Sequence, residues 1–331
     1  MARNLITDVA GVRVGHAEDA KLGSGVTVVV FDKPAVAAAD LRGGGPGTRE
    51  SALLDPAMTV ERIDAIALAG GSAFGLDSAS GLQAWLREQG RGFDVRGMRV
   101  PIVPAAILFD LLNGGHKDWG RYPPYRELGY QAAAQASQDF ALGSVGGGLG
   151  AATVDLKGGA GSASATTRDG ATVGALALVN AAGSAVIGGG PHFWAAPFER
   201  DNEFGGRGQP AQVSTQALTF RTKGQPGENT TLVVVATDAT LTKAQTRRLA
   251  IMAQDGMARA LRPIHTPLDG DIVFAAATCE RPLRDPIHSL GELGALAADV
   301  VARAIARGVY EARALRFPGA APSWRERFGT R

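Results

Sequence analysis

The chain has 331 residues, with 34 lysines and arginines against 32 aspartates and glutamates, for a formal net charge of +2. This balance of scattered charges argues against a nucleic-acid-binding protein, which needs a basic face. Cys279 is the single cysteine, so an internal disulfide framework and a cysteine-rich zinc site are excluded. Apolar runs are too short for a transmembrane helix and the first residues lack the apolar region of a signal peptide, so we expect a cytoplasmic protein without membrane partners.

The first third of the chain alternates strand and helix patterns. Strands are predicted at Gly25–Phe31 and Ala65–Ala69, and a glycine-rich segment, Leu41–Glu50, lies between them. The spacing of apolar residues predicts a helix over Ser72–Glu88, with Ser72 as its N-cap. This alternation is typical of a mixed α/β protein.

The middle third is dominated by glycine and by a long polar stretch. A glycine-dense block, Gly143–Ser164, precedes a predicted strand at Val173–Val179, which Asn180 follows directly. The stretch Glu199–Glu228 contains several glycines and prolines and little apolar periodicity, so we predict a linker there.

The last third alternates strands and helices again. In chain order it contains a buried strand, a helix opened by a capping box, a second strand and an alanine-rich helix, at Leu232–Ala236, Thr242 to about Leu261, Ile272–Thr278 and Leu290–Leu315. Pro318–Arg331 is basic and contains proline, and is predicted to be a surface tail. We expect residues 1–331 to form a single α/β domain.

Several motifs have ordinary structural explanations. Gly146–Ala151 matches a dinucleotide-binding loop, but more glycine follows where that loop needs a helix, so the match does not support a nucleotide cofactor. Gly70–Gly75 resembles a nucleophile elbow with one residue too many, which favours Ser72 as a helix cap. Asp269–Asp271 lacks the rest of a calcium loop and is typical of a turn before a strand. The histidines have no metal-ligand spacing, so no metal is expected.

Asn229-Thr230-Thr231, at the end of the predicted linker, has three interpretations. It is a glycosylation sequon, which has no use without a secretion signal, or it is the ordinary end of a loop that enters a strand. The third interpretation is chemical, because a cut before Thr230 would leave a hydroxyl and a free α-amine on one residue. Such an amine has a pKa of about 8 and can take the hydroxyl proton, which makes a self-contained pair of nucleophile and base.

Seven segments of the chain recur in order in one known family: ITDVAGVRVGH, DLRGGGPGTRE, LAGGSAFGLD, the block of GGGLG and KGGAGSAS, VGALALVN, NTTLVVVATDA and HTPLDGD. Over about Ile6 to Ala312 the chain resembles the P1 peptidases, self-cleaving hydrolases that include L-aminopeptidase D-amidase/esterase, β-peptidyl aminopeptidases and 6-aminohexanoate-oligomer (nylon oligomer) hydrolase. The resemblance implies a four-layer αββα sandwich of the N-terminal-nucleophile type, with two central sheets between layers of helices.

The resemblance also implies roles for individual residues. Members of the family cut themselves into two chains, and the matching bond here joins Asn229 to Thr230, which would give pieces of 229 and 102 residues. Thr230 would then be the N-terminal nucleophile. Asn180 matches the residue whose amide holds the oxyanion, and Asp269 and Asp271 match two residues that orient the amine of the nucleophile.

The resemblance leaves the position of a site lysine open. In the nylon-oligomer branch a catalytic-site lysine falls in the column that Asp155 occupies here, whereas Lys157 matches a lysine of the aminopeptidase pattern. We predict Lys157 as a site residue, with a surface lysine at a sheet edge as the alternative. The Asn-Thr junction and the Asp-x-Asp pattern resemble the nylon-oligomer branch, while the β-peptidyl branch has Ser-x-Glu.

These residues together predict an amide hydrolase that forms an acyl-enzyme on Thr230 without a metal or cofactor, similar to the nylon-oligomer hydrolase. A β-peptidyl or L-/D-amino-acid aminopeptidase/esterase is the alternative, and an uncleaved small-molecule-binding protein of the same fold is the alternative from another class. The resemblance further implies a homotetramer of cleaved protomers. Glycine-rich loops and Phe193–Phe198 are expected to line the substrate pocket, unless these aromatic residues belong to the core.

Overall fold

Eleven strands and five α-helices are found in the computed structural model, which describes residues 2–223 and 228–329. The strands are β1 (Val12–Asp19), β2 (Ser24–Leu41), β3 (Thr48–Arg49), β4 (Arg62–Ala69), β5 (Phe93–Val95), β6 (Met98–Val100), β7 (Ala105–Ile107), β8 (Ala160–Thr166), β9 (Thr172–Asn180), β10 (Thr230–Ala239) and β11 (Ile272–Arg281). The helices are α1 (Ser78–Glu88), α2 (Tyr125–Ala134), α3 (Lys243–Ala260), α4 (His288–Tyr310) and α5 (Trp324–Phe328). Among these residues, no helix combines the length and apolar character needed to cross a membrane.

Nine of the strands form one mixed sheet in the order β3-β7-β4-β2-β11-β10-β9-β8, with β1 paired to β2. The long strand β2 joins its two halves, because its first part pairs with β1 and β4 and its second part pairs with β11. Strand β10 lies between β11, to which it is parallel, and β9, to which it is antiparallel. The two sheets expected from the sequence are therefore two halves of one hydrogen-bonded sheet.

The layers follow from the alternation of side chains along each strand. In β10, Leu232 and Val234 face a core between the two halves of the sheet, whereas Val233 and Val235 face a second core under α3 and α4. Strand β4 alternates in the same way between the central core and a third core under α1 and α2. Three apolar cores between four layers make an αββα sandwich, which confirms the predicted fold class.

Every predicted strand lies within an observed one, and the capping box of Thr242 and Gln245 opens α3 as predicted. The predicted start of the first helix is wrong. Ser72 has a φ of 53° and begins a short 3-10 helix, and α1 begins only at Ser78. An N-cap residue has extended backbone geometry, whereas the φ of Ser72 is positive. Gly71 before it is also left-handed, and the N–H of Ser72 donates to the carbonyl of Leu108.

The end of the chain packs against the fold, whereas the sequence predicted a surface tail over Pro318–Arg331. Trp324 in α5 is only 3% exposed, and its ring stacks on Phe193 and contacts Tyr310. Its indole N–H donates to the carbonyl of Pro191 at 3.1 Å. Phe193, expected as a possible pocket wall, is therefore a core residue that holds this segment in place.

Candidate active site

Thr230 and Asn180 face each other across two neighbouring strands. Thr230 is the first residue of β10, Asn180 is the last residue of β9, and the two are paired in the antiparallel register. Both side chains are buried. The hydroxyl of Thr230 donates to the carbonyl oxygen of Asn229 at 2.5 Å. The hydroxyl of the predicted nucleophile is therefore hydrogen-bonded to the carbonyl group of the peptide bond that is predicted to be cut.

The Asn229 carbonyl has a second donor from the loop before β11. The backbone N–H of Gly270 reaches its oxygen at 2.8 Å, so two donors polarise this one carbonyl. Residue 270 must be glycine, because a β-carbon there would lie 2.6 Å from the Thr230 hydroxyl oxygen and 2.8 Å from the carbonyl oxygen of Gly45. The arrangement resembles an oxyanion hole placed on the chain's own backbone.

Asp271 is fully buried next to the nucleophile. One carboxylate oxygen accepts from the backbone N–H of Thr231 at 2.7 Å. The other accepts from the backbone N–H and the ring nitrogen Nδ1 of His265, both at 3.0 Å. The carboxylate is thus fixed beside the first peptide of β10, at the position for which the family resemblance implies a residue that orients the amine.

Asp269 is equally buried and anchors the end of the β9 segment. It accepts from the N–H of Ala182 at 3.0 Å and from the hydroxyl of Thr266 at 2.6 Å. Burial, together with the nearby charge of Asp271, raises the pKa of Asp269. The structure therefore brings both predicted aspartates to the Asn229–Thr230 junction, with Gly270 between them.

The glycine-rich segment near Leu41–Glu50 holds this Asp-Gly-Asp turn. The N–H groups of Arg42 and Gly43 donate to the carbonyl of Asp271, and the N–H of Gly45 donates to the carbonyl of Asp269 at 2.8 Å. A β-carbon at position 43 would lie 2.2 Å from the Asp271 nitrogen. Close backbone contact explains why this part of the sequence is rich in glycine.

The amide of Asn180 is held on both of its sides. Its oxygen accepts from the N–H of Ala152 at 3.1 Å and from the ammonium of Lys223 at 2.8 Å. Its nitrogen donates to the carbonyls of Phe109 at 3.0 Å and Glu228 at 3.2 Å. The amide group therefore reaches the junction, where it donates to the carbonyl of Glu228, the residue before Asn229.

Lys157 is buried, with 2% of its surface exposed, so the alternative of a surface lysine is wrong. Its ammonium donates to three carbonyls of the glycine-dense block, those of Gly148, Ala151 and Gly158, at 3.2, 2.6 and 2.6 Å. Burial and the charge of Lys223 lower the pKa of Lys157 to about 7.

Asp155, which occupies the column of the family lysine, lies in a different environment. Its carboxylate accepts from the hydroxyl of Ser184, at 3.0 Å to each oxygen, and lies 4.0 Å from the guanidinium of Arg221. A cavity opens beside Asn180, and its described lining includes Lys157 but not Asp155. Of the two candidates, Lys157 is therefore the one that lies near Asn180.

Comparison with known sequences decides the family. The sequence profile of peptidase family S58 matches residues 4–320. The chain belongs to peptidase family S58. The chain is 45% identical, over 98% of both lengths, to an uncharacterized aminopeptidase of Mycobacterium tuberculosis. It is also 27% identical to a 6-aminohexanoate-oligomer endohydrolase of Paenarthrobacter ureafaciens, over 89% of this chain and 82% of that one. This S58 peptidase is a hydrolase of amide bonds.

Solved structures confirm the fold. A β-aminopeptidase of Burkholderia sp. superposes with a TM-score of 0.71 at 23% identity, covering 100% of this chain and 95% of that one. The L-aminopeptidase D-Ala-esterase/amidase of Ochrobactrum anthropi, described as a variant of the Ntn hydrolase fold, gives a TM-score of 0.70 at 22% identity, over 95% and 88% of the two chains. The S58 peptidase therefore has this variant of the Ntn hydrolase fold.

A cavity of about 310 Å³ opens beside Asn180 in the S58 peptidase. Its walls include the charged residues Asp110, Lys157, Lys223 and Glu228, and residues 318–321 also line it. A larger cavity, about 640 Å³, lies between residues 184–194 and 210–221. None of the predicted catalytic residues is among its described lining, but Trp194, from the segment expected to line the substrate pocket, is. Of the two cavities, the smaller one adjoins Asn180, the strand partner of Thr230.

Sequence reasoning missed charged residues of this cavity, among them Lys223 and Asp110. Lys223 lies in the polar linker, where a lysine is expected to be solvated, and Asp110 only ends a short apolar run. Asp110 is 3% exposed and accepts from the N–H of Gly71 at 2.8 Å, and burial raises its pKa. The glycine pair before Ser72 is a sequence signal that could have indicated a partner such as Asp110, because a turn of this kind leaves a backbone N–H free to bind an anion.

Replacing Lys157 with methionine is expected to alter how stability depends on pH. The pKa of Lys157 is about 7 in the folded chain, against an ordinary value of 10.5. Between these values the unfolded chain binds a proton that the folded chain does not, so this lysine makes the free energy of unfolding rise with pH. The methionine variant lacks that contribution. Urea midpoints at one protein concentration should therefore diverge between wild type and variant as pH rises above about 7. A constant difference would contradict the assignment.

Proposed function

We propose that this S58 peptidase cuts its own chain between Asn229 and Thr230 and then uses Thr230 as an N-terminal nucleophile on amide substrates. The observation that carries the proposal is the position of the Thr230 hydroxyl, 2.5 Å from the Asn229 carbonyl oxygen. That carbonyl also accepts from the Gly270 N–H at 2.8 Å. A nucleophile and an oxyanion donor thus converge on one buried peptide group.

Self-cleavage proceeds in two steps. The Thr230 oxygen attacks the Asn229 carbonyl carbon, and the negative charge that develops on the oxygen is stabilised by the Gly270 N–H. The carbon–nitrogen bond breaks as its nitrogen takes the proton given up by the Thr230 hydroxyl, which leaves Asn229 as an ester on the Thr230 oxygen. Water then hydrolyses this ester, so that Asn229 ends in a carboxylate and Thr230 has both its hydroxyl and a free amine.

Turnover repeats the same chemistry on a substrate. The free amine, with a pKa of about 8, takes the hydroxyl proton as the Thr230 oxygen attacks the substrate carbonyl. The amide hydrogens of Asn180 stabilise the oxyanion, and the leaving amine receives the proton. Water, activated by the same amine, releases the acyl group. Asp269 and Asp271 hold the amine and balance its charge when it is protonated.

We propose short peptide-like amides as the substrate class. The Asn-Thr junction and the Asp-x-Asp pattern favour linear oligoamides of the 6-aminohexanoate type, as does the similarity to the 6-aminohexanoate-oligomer endohydrolases. The 45% identical relative is named an aminopeptidase, which favours amino-acid amides as the second candidate. A panel of β-peptides, D- and L-amino-acid amides and linear oligoamides separates the two. We further propose a homotetramer of cleaved protomers, which native mass spectrometry would count.

Intact mass and N-terminal sequencing under denaturing conditions test the proposal directly. We expect two chains of 229 and 102 residues, the smaller one beginning Thr-Thr-Leu-Val. A single chain that stays whole after long incubation, alone and at concentrations that permit assembly, would contradict self-cleavage. That result would favour an uncleaved binding protein of the same fold.

A further inference from the structure

We propose that Lys223 is a positioning residue for self-cleavage, because its ammonium fixes the Asn180 amide, which in turn holds the carbonyl of Glu228 one residue before the scissile peptide. This inference rests on the proposed function. Lys223 is half-buried in a segment that is otherwise polar and largely exposed. Lysine side chains lose much conformational freedom when they are ordered, so a lysine held in a linker needs specific contacts to keep it there.

Lys223 is bound through its backbone and through its side chain. Its N–H donates to the carbonyl of Ala182 at 3.0 Å, which ties the linker to the segment after β9. Its ammonium donates to the amide oxygen of Asn180 at 2.8 Å and to the carbonyl of Ala152. Its own carbonyl accepts from the side-chain amide of Asn229 at 3.1 Å. The lysine thus connects Asn180 to the residue that precedes the scissile bond.

The ammonium is one of four partners that fix which way the Asn180 amide faces. The amide oxygen is surrounded by two donors, the ammonium of Lys223 and the N–H of Ala152, while the amide nitrogen meets two carbonyls, those of Phe109 and Glu228. Rotating the amide by half a turn would put donor against donor and acceptor against acceptor. Without Lys223, one of the two donors that hold the oxygen is lost and the orientation is less strongly fixed.

The pKa of Lys223 lies near neutral pH, so its charge changes in this range. Burial lowers its pKa to about 7, although the carboxylates of Asp269, Glu228 and Asp110 all act to raise it. Lys157 is the other cation nearby, and its own pKa is lowered by the charge of Lys223. A charge-assisted hydrogen bond to Asn180 therefore weakens as pH rises through this range.

The test compares the rates at which freshly translated chains cut themselves. We expect Lys223→Met to slow cleavage about tenfold, the loss of one hydrogen bond from a charged donor, and Lys223→Arg to restore most of the rate. Arg221→Met is the matched control, since Arg221 is a half-exposed cation of the same linker that lies 4.0 Å from Asp155 instead of Asn180. This control should cut at the wild-type rate.

A pH profile separates positioning from a purely structural role. Arginine stays charged, so the ratio of the wild-type rate to the Lys223→Arg rate should fall between about pH 6 and about pH 8. A ratio that does not change with pH, or a Lys223→Met chain that cuts at the wild-type rate, would overturn the inference while leaving self-cleavage intact. A wild-type chain that never cuts would instead overturn the proposed function.

Discussion

Replacing Thr230 with alanine is expected to leave one uncut chain that folds normally and has no amidase activity. The variant lacks the oxygen that lies 2.5 Å from the Asn229 carbonyl oxygen, so neither the ester of self-cleavage nor the acyl-enzyme can form. Losses on removal of a nucleophile reach about 10⁴-fold or more. Denaturing electrophoresis measures the cut, circular dichroism measures the fold, and release of a chromogenic amine measures turnover.

Two neighbouring variants make this result specific. Thr230→Ser keeps the oxygen and should still cut and turn over. Thr231→Val removes a buried hydroxyl that has no hydrogen-bond partner in the described part of the chain, and it should behave like wild type. Cleavage and turnover by Thr230→Ala would show that another residue is the nucleophile.

Replacing Asn180 with alanine is expected to lower kcat by about 10²- to 10³-fold, the usual cost of removing one oxyanion donor. The amide nitrogen now donates to the carbonyls of Phe109 and Glu228 at the junction, and it is the side-chain donor opposite Thr230 in the strand register. KM should change much less than kcat, because the interaction is made mainly in the transition state. Rates are measured per cleaved chain, since cutting is also expected to slow.

The isosteric variant Asn180→Asp distinguishes a donor from a structural element. A carboxylate can still accept from Ala152 and Lys223, although its second oxygen would face the carbonyls of Phe109 and Glu228, so the variant keeps the shape of the side chain without its donor. It offers no N–H to an oxyanion, so activity should stay low. Full activity in Asn180→Asp would mean that Asn180 does not donate to the transition state.

Much of the fold follows from local pattern. The run Leu232–Ala236 is apolar and β-branched and lies inside β10, and the hydroxyl and amide of Thr242 and Gln245 satisfy the first N–H groups of α3 wherever the helix packs. The glycine-rich segment Leu41–Glu50 was evident from the sequence, but its contacts were not. The contact of Gly43 and Gly45 with the Asp269–Asp271 turn joins segments far apart in sequence.

The site was predictable where the family pattern includes its residues and not elsewhere. Asn180 and Thr230 meet because β9 and β10 pair in one register, which no local pattern encodes. Lys223 and Asp110 meet at this cavity only when distant segments come together, so the sequence around each of them gives no sign of the other. Trp324 was assigned to a tail for the same reason, since its partners Phe193 and Tyr310 lie elsewhere in the chain.

If the proposed cut takes place, the position of β10 and β11 has a consequence for the lifetime of the folded protein. Both strands belong to the piece after residue 229, yet they lie between β2 and β9 of the other piece, with hydrogen bonds on both sides. Once the peptide bond is gone, a molecule that unfolds loses the tether that kept its halves at high effective concentration. Renaturation then requires two separate polypeptides to find each other in solution. Self-cleavage would thus make unfolding hard to reverse, and the cut protein would last only as long as the interleaved strands of its two pieces stay together.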